Sequence, residues 1–209
     1  MSATLLAAIA APAAGRSLTS ELQALADRLR RVTVRIATTG SRFDGVGAGI
    51  IWPSKGRAIV MTNAHVVPPR RGDQLVVEDE AGRRVEARVI AREADLDLAL
   101  LALDGAPNEL PAPAVIGDAR SLRPGEIVVA LGHPFGVGGA LSLGIVHAAP
   151  GADDSWVRAD IRLAPGNSGG PLAALDGAIV GINCMIARGL GIAVPTHVAD
   201  RFAREVMAR

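Results

Sequence analysis

The chain is poor in several residue types whose presence usually points to a function. Of its 209 residues only Cys184 is cysteine, so no disulfide can form within the chain and the cysteine count does not argue for an oxidising compartment. Aromatic residues make up 2% and tyrosine is absent, which argues against the base-stacking platforms of single-strand nucleic-acid binders. Lys55 is the only lysine, and the arginines alternate with acidic residues to a net charge of +1. No basic block is present, so we predict no nucleic-acid partner.

Long hydrophobic runs are also missing. The longest near the start, from Leu5 to Ala11, is far shorter than the roughly 20 residues of a membrane helix, so no transmembrane segment is predicted. Residues 11–13, Ala-Pro-Ala, have the small-x-small form of a cleavage site, but no Lys or Arg occurs from Met1 to Thr4. We therefore interpret residues 1–17 as a flexible segment or a possible signal, and the compartment, cytoplasmic or exported, stays open.

Helical spacing appears near each end of the chain. Ser20 and Gln23 have the form of a capping box, and leucines follow at steps of three and four, which predicts a helix over residues 20–31. A second helix is predicted over 196–208, capped by Thr196 and with an apolar residue every fourth position. A chain of this length is expected to form one folding unit around these helices, residues 18–209.

Between the helices the sequence consists of short runs rich in Val and Ile, separated by turn residues. This spacing predicts an all-β region. The predicted strands cover residues 32–37, 46–52, 58–62, 74–77, 84–91, 96–103, 126–131, 141–148, 156–161, 178–182 and 191–194.

A turn-rich stretch from Asp104 to Pro113 divides this region into two parts of similar length. Two small barrels joined by a linker, one over about residues 32–104 and one over about 114–195, would account for that division. Helices do not alternate with strands, which argues against a doubly wound parallel sheet.

Three segments carry candidate chemistry. Gly166 to Pro171 contains Ser168 between glycines, a pattern typical of an exposed nucleophile but equally of a plain hairpin turn. His65 follows a predicted strand, where a packed histidine is an alternative, and Asp97 precedes an uncharged strand, where a carboxylate paired with backbone is the alternative. Together they supply the nucleophile, base and carboxylate of a triad, in the order His, Asp, Ser that double-barrel proteases use.

The sequence resembles the trypsin-like serine proteases, and within them the bacterial HtrA/Deg type, from about Leu18 to Val206. The resemblance is carried by five motifs in the order of that family: Thr-Asn-Ala-His-Val-Val at 62–67, Asp-Leu-Ala-Leu-Leu at 97–101, Gly-His-Pro-Phe-Gly at 132–136 leading to Leu-Gly-Ile-Val at 143–146, Gly-Asn-Ser-Gly-Gly-Pro-Leu at 166–172 and Gly-Ile-Ala-Val-Pro at 191–195.

The resemblance implies a chymotrypsin-like fold of two six-stranded β-barrels and the activity of a serine endopeptidase acting on unfolded or misfolded polypeptides. Ser168 would be the nucleophile, His65 the base and Asp97 the residue that orients His65. The oxyanion hole would be formed by Gly166, Asn167 and Ser168, with the N–H groups of Gly166 and Ser168 as donors. No metal or cofactor is implied, and the N-terminal helix is a candidate for contacts in a homotrimer.

Several features depart from the family. The chain ends after the second predicted helix, so we expect no PDZ domain and no regulation through one. Position 167 is Asn, as in HtrA-type enzymes, where digestive relatives carry an Asp that pairs with a new N-terminus; activation by cleavage is therefore not expected. His133 stands where many HtrA-type sequences have Asn, and we interpret His133, His147 and His197 as structural.

The specificity pocket is expected, by the same resemblance, in the residues before the nucleophile and in segment 183–194. These segments hold apolar residues and no acidic one, which favours aliphatic over basic substrate side chains. Some of the candidates could equally be barrel core. The candidate pocket residues are Leu163, Met185, Ile186, Ile192 and Val194.

Two rival functions are considered. Gly166-x-Ser168-x-Gly170 also fits the nucleophile elbow of esterases, with Asp176 and His197 in that fold's order, but Pro171 and the upstream strands argue against the required helix and parallel sheet. The second rival is a double-barrel binding or scaffold module whose triad is intact but whose oxyanion loop is held in a collapsed, resting state.

Overall fold

The computed structural model describes residues 17–37, 46–54, 56–69, 74–104, 113–151 and 156–208. Most of the N-terminal segment 1–17, interpreted as flexible or as a possible signal, and most of the predicted linker 104–113 lie outside these residues. The described helices are α1, Leu18–Val32, and α2, Thr196–Met207. Neither has the length and apolar character needed to cross a bilayer.

Twelve antiparallel strands form two closed six-stranded barrels, which confirms the predicted fold class. The first barrel has the strand order β1-β2-β3-β6-β5-β4 and the second β10-β11-β12-β9-β8-β7. Closure leaves no unpaired sheet edge. The first barrel consists of β1 Thr33–Ala37, β2 Val46–Trp52, β3 Ile59–Thr62, β4 Gln74–Glu78, β5 Arg84–Glu93 and β6 Leu98–Leu103, and the second of β7 Ile127–Gly132, β8 Ala140–Ala148, β9 Val157–Asp160, β10 Pro171–Ala174, β11 Ile179–Ala187 and β12 Leu190–Pro195.

Eleven of these strands were predicted, ten of them within two residues at each end; the prediction for β11 stopped five residues short of Ala187, and β10 was missed. Pro171 opens β10, and the sequence pattern Gly-Gly-Pro indicates a turn at that point. Proline is nevertheless tolerated as the first residue of a strand, because no ladder hydrogen bond from its nitrogen is needed there. The strand pairs with β7 and β11 and so closes the second barrel.

The predicted helix caps are corrected by the structure. Helix α1 begins at Leu18, and its N-cap is Ser17, whose Oγ accepts a hydrogen bond from the Ser20 N–H. The predicted capping box of Ser20 with Gln23 is therefore wrong, because Ser17 offers the same three-residue reach one turn earlier. Helix α2 begins at Thr196 with Pro195 as its N-cap, and the Thr196 hydroxyl instead donates to the Gly117 carbonyl at 2.8 Å.

Three buried clusters form the core. One fills each barrel, and the third lies between the barrels and beneath both helices. In this central cluster Leu25 and Leu29 of α1 and Phe202 of α2 pack against residues of both barrels, including Met61 and Leu131. Burial of side chains of this size stabilises a fold by roughly 1.5–3 kcal/mol each. The central cluster therefore holds the barrels, and the loops between them, in one arrangement.

Candidate active site

The predicted histidine and aspartate meet in the cleft. His65 lies in the turn after β3 and Asp97 in the turn before β6, and these strands are neighbours in the first barrel. The Nδ1 atom of His65 is 2.8 Å from Oδ2 and 3.0 Å from Oδ1 of Asp97. The backbone N–H of His65 also donates to Oδ1 at 3.1 Å. The carboxylate therefore fixes both the ring and the main chain of His65.

The backbone at Asp97 is strained. Its φ is 51°, in the left-handed region that non-glycine residues seldom adopt. The Asn63 side chain donates to the Asp97 carbonyl at 2.9 Å, which ties this turn to the end of β3. The surrounding contacts thus stabilise a conformation that turns the carboxylate toward His65.

The Asp97 carboxylate has a lowered pKa. Burial by itself would raise the pKa, but the hydrogen bonds from His65 and from the Cys184 thiol, together with the charge of His65, outweigh that effect. The thiol donates to Oδ2 at 2.9 Å. Asp97 is therefore ionised at neutral pH and remains an acceptor for the imidazole.

The predicted nucleophile Ser168 lies between the barrels. Its carbonyl accepts a hydrogen bond from Ala48 of β2 at 2.8 Å, a contact between the two barrels. Gly169 follows with a φ of +85°, and a Cβ there would collide with the Ala48 carbonyl and the Thr62 hydroxyl. Only glycine fits at this position, and Ser168 before it is partly buried. The Ser168 hydroxyl donates to the Cys184 carbonyl at 2.9 Å, and among the described residues no hydrogen bond joins it to His65.

A tight turn before the nucleophile presents backbone donors. Residues 164–167 have the features of a type II turn: Pro165 at the second position, Gly166 at the third with a φ of +104°, and a 2.9 Å bond from the Asn167 N–H to the Ala164 carbonyl. The backbone N–H of Asn167 is therefore engaged within the turn. The N–H groups of Gly166 and Ser168 donate to no other described residue, so they are the two available donors of the predicted oxyanion hole.

The segment around His133 binds this turn through backbone hydrogen bonds. The His133 N–H donates to the Gly166 carbonyl at 2.9 Å, and the Phe135 N–H donates to the Pro165 carbonyl at 3.1 Å. Both carbonyls are bound on the side of the turn that faces His133, so the Gly166 N–H points to the opposite side. His133 is buried, and burial lowers its pKa. These contacts agree with a structural part for His133.

An apolar pocket of about 300 Å³ adjoins Ser168. Its lining carries no charged side chain. Three of the five predicted specificity residues line it, while Val194 packs in the central core cluster and Ile192, which is also buried, is not part of the lining. The difference follows from the position of each strand, because residues 191–195 of β12 are all buried, whereas Met185 and Ile186 lie at the exposed end of β11. The lining residues are Leu163, Ala164, Pro165, Asn167, Ser168, Cys184, Met185 and Ile186.

Comparison of this chain with known proteins identifies its family. The profile of the family described as Trypsin-like peptidase domain matches residues 47–182, which include all three predicted triad residues. This chain belongs to the trypsin-like peptidases, in their HtrA type. The HtrA-type relatives include Serine protease HTRA1 of Xenopus laevis, 35% identical over 169 residues, or 76% of this chain and 36% of that protein. The Periplasmic pH-dependent serine endoprotease DegQ of Escherichia coli K12 is 32% identical over 177 residues, or 79% and 38%.

A solved structure agrees with this HtrA-type assignment. The serine endoprotease from Yersinia pestis superimposes with a TM-score of 0.79 at 28% identity, covering 92% of this chain and 68% of that one. The chain spans little more than a third of the length of the curated relatives that it matches.

One residue of the HtrA-type site escaped the sequence analysis. Cys184 contacts Asp97 through its thiol and Ser168 through its carbonyl, yet it was noted only as the sole cysteine. It lies 87 positions from Asp97 in the chain, and no motif joins the two. Only the pairing of β11 with the loop that carries Ser168, through the 2.8 Å bonds that join Asn183 to Gly169 and Gly170, brings Cys184 to the predicted triad.

Proposed function

We propose that this domain is a serine endopeptidase that uses Ser168, His65 and Asp97. The observation that carries the proposal is the doubly bonded His65–Asp97 pair in the same site as Ser168, where the backbone N–H groups of Gly166 and Ser168 donate to no other described residue. A serine hydroxyl is a weak nucleophile, and it requires a base held in one tautomer by a carboxylate. The Nδ1–H of His65 bonded to Asp97 leaves Nε2 as that base.

The reaction would run in two halves. The Ser168 hydroxyl first turns from the Cys184 carbonyl to His65, gives its proton to Nε2 and attacks the peptide carbonyl. The Gly166 and Ser168 N–H groups stabilise the negative oxygen, and His65 returns the proton to the leaving amine, which yields an acyl-enzyme. Water then repeats the sequence and releases the acid. Each oxyanion donor of this kind contributes about 3–4 kcal/mol of transition-state stabilisation.

Unfolded or misfolded polypeptides are the substrates that we propose, on the strength of the resemblance to HtrA-type proteases. The cleft supports the preference at the cut bond, because the pocket is apolar and contains no counter-charge. An aliphatic side chain gains roughly 1.5–3 kcal/mol by burial there, whereas a Lys or Arg would lose hydration without an ion-pair partner.

A resting or scaffold module is the second candidate, and one observation favours it. The Ser168 hydroxyl is bonded to the Cys184 carbonyl and not to His65. Catalytic hydrogen bonds are often absent before substrate binds, which is why we prefer the enzyme.

The two candidates are separated by labelling with a fluorophosphonate probe. We expect the folded protein to take up one probe molecule, mapped by mass spectrometry to Ser168, and to digest unfolded casein in parallel. Prior denaturation is the control and should abolish labelling, because a serine outside the site is unreactive. Labelling at another residue would contradict the nucleophile assignment, and a folded sample that neither reacts nor digests casein would favour the scaffold.

Specificity gives a second test. For matched peptides that differ only in the residue before the cut, we expect kcat/KM for Leu to exceed that for Arg by about 100-fold, because an unpaired charge in the pocket costs several kcal/mol. Met185 is half-exposed at the pocket wall, so Met185→Asp can supply a carboxylate without a large packing loss. We expect this variant to raise the relative rate for Arg by roughly threefold, the value of a solvated ion pair.

The uncharged variant Met185→Asn is the matched control for shape and should leave the Leu-to-Arg ratio near the original. Equal rates for Leu and Arg in the unmodified protein would show that this pocket does not select the residue before the cut.

A further inference from the structure

Three different side-chain groups that can bind a metal ion meet in the cleft. They are His65 Nδ1, the Asp97 carboxylate and Cys184 Sγ, and these atoms lie within 4.8 Å of one another. Imidazole, carboxylate and thiolate are the groups that bind Zn²⁺ in proteins. We propose that this cluster is an inhibitory binding site for a thiophilic divalent cation of the Zn²⁺ class.

The spacing of the ligand atoms is close to what such an ion needs. Bonds of about 2.0–2.3 Å in a tetrahedral arrangement place ligand atoms roughly 3.3–3.6 Å apart. The Sγ–Oδ2 distance is 2.9 Å and the Nδ1–Oδ2 distance 2.8 Å, so the cluster must open by about half an ångström. Half of the His65 side chain is exposed and it lies in a turn, so it can move by that amount, while Asp97 and Cys184 are more buried.

Cys184 is the soft ligand that distinguishes this cluster from a His–Asp pair. Cys184 is 3% exposed, and its thiol faces the carboxylate of Asp97. Burial, the hydrogen bond to that carboxylate and its negative charge all raise the pKa of the thiol, so it stays protonated at neutral pH. A protonated thiol is a poor metal ligand. A bound dication makes the thiolate favourable, since it compensates the carboxylate charge and replaces the thiol proton. A serine in this position would keep the hydrogen bond but would provide no such ligand.

Proton balance explains why the bound ion would inhibit. The thiol releases one proton to solvent and becomes a thiolate ligand. The neutral imidazole keeps its single proton, which moves from Nδ1 to Nε2 because Nδ1 now binds the ion. With its lone pair occupied, Nε2 cannot accept the Ser168 proton, so acyl-enzyme formation stops. This inhibitory consequence rests on the proposed function, whereas the binding itself does not.

Binding can be tested by titrating the metal-free, full-length protein with Cd²⁺ and recording thiolate-to-cadmium absorption in the ultraviolet. Cys184 is the only cysteine, so any such band reports on this residue alone. We expect a band that saturates at one ion per chain, that is absent in Cys184→Ser, and that requires at least tenfold more Cd²⁺ in His65→Gln, which loses the imidazole ligand. Circular dichroism verifies that each variant is folded.

The Ser168→Ala variant separates this proposal from the proposed function. It has no nucleophile, yet we expect its cadmium band to be unchanged. No band up to millimolar Cd²⁺, or a band of unchanged affinity in His65→Gln, would overturn the site, the latter because it would show a thiol acting alone.

Inhibition is measured with Zn²⁺ on peptide hydrolysis. We expect the unmodified protein to lose at least tenfold in rate at saturating Zn²⁺, while the rate of Cys184→Ser, relative to its own metal-free value, changes by less than twofold. Equal inhibition of both proteins would overturn the inhibitory role.

Discussion

Replacing Ser168 by alanine is expected to lower kcat for peptide hydrolysis by about 10⁵–10⁶-fold, because the covalent route disappears with the hydroxyl. The fold should be retained. The hydroxyl makes one hydrogen bond, to the Cys184 carbonyl, and its loss costs roughly 1 kcal/mol of the free energy of unfolding. Steady-state hydrolysis of an aliphatic peptide and urea unfolding measure the two effects.

Ser121→Ala is the matched control for that experiment. The Ser121 hydroxyl also donates one hydrogen bond to a carbonyl, that of Asp118 at 2.7 Å, in an exposed 3₁₀ turn before β7. A comparable small change in stability with unaltered kcat is the expected result. Hydrolysis by Ser168→Ala within tenfold of the original rate would rule out Ser168 as the nucleophile.

Replacing Asp97 by asparagine is expected to lower kcat by about 10⁴-fold. Both carboxylate oxygens accept hydrogen bonds, from Nδ1 and the backbone N–H of His65 and from the Cys184 thiol. The asparagine amide would replace one acceptor by a donor, which favours the imidazole tautomer that carries its proton on Nε2. That tautomer cannot act as the base toward Ser168.

The same substitution changes the dependence of stability on pH. Because the pKa of Asp97 is lowered in the fold, its ionised form stabilises the native state above the ordinary value of 3.8, and this contribution is lost as the pH falls through the lowered value. Thermal unfolding of Asp97→Asn should lack this part of the acid destabilisation. Asp118→Asn, at an exposed carboxylate paired with Arg120, is the control and should keep full activity. Unchanged kcat in Asp97→Asn would show that Asp97 does not orient the base.

Much of the fold could be predicted from the sequence because its signals are local. Strands follow from short apolar runs between turn residues, and eleven of the twelve were found in this way. Helix α2 was predicted within one residue at its C-terminal end because an apolar residue recurs every fourth position. The cap of α1 was predicted at the wrong serine, since Ser17 and Ser20 are both suitable residues and the structure has Ser17 as the N-cap.

The sequence by itself determined the two barrels and predicted His65, Asp97 and Ser168 as the triad, because turn chemistry and the order of motifs are written in neighbouring residues. Tertiary structure decided which pocket residues face the cleft, since Met185 lies at the exposed end of β11 whereas Val194, on the neighbouring strand β12, packs in the central core cluster. It also placed Cys184 against Asp97 and joined the turn at residues 164–167 to Phe135 through the Pro165 carbonyl. Such contacts join segments far apart in the chain, and they exist only once both barrels have closed and packed together.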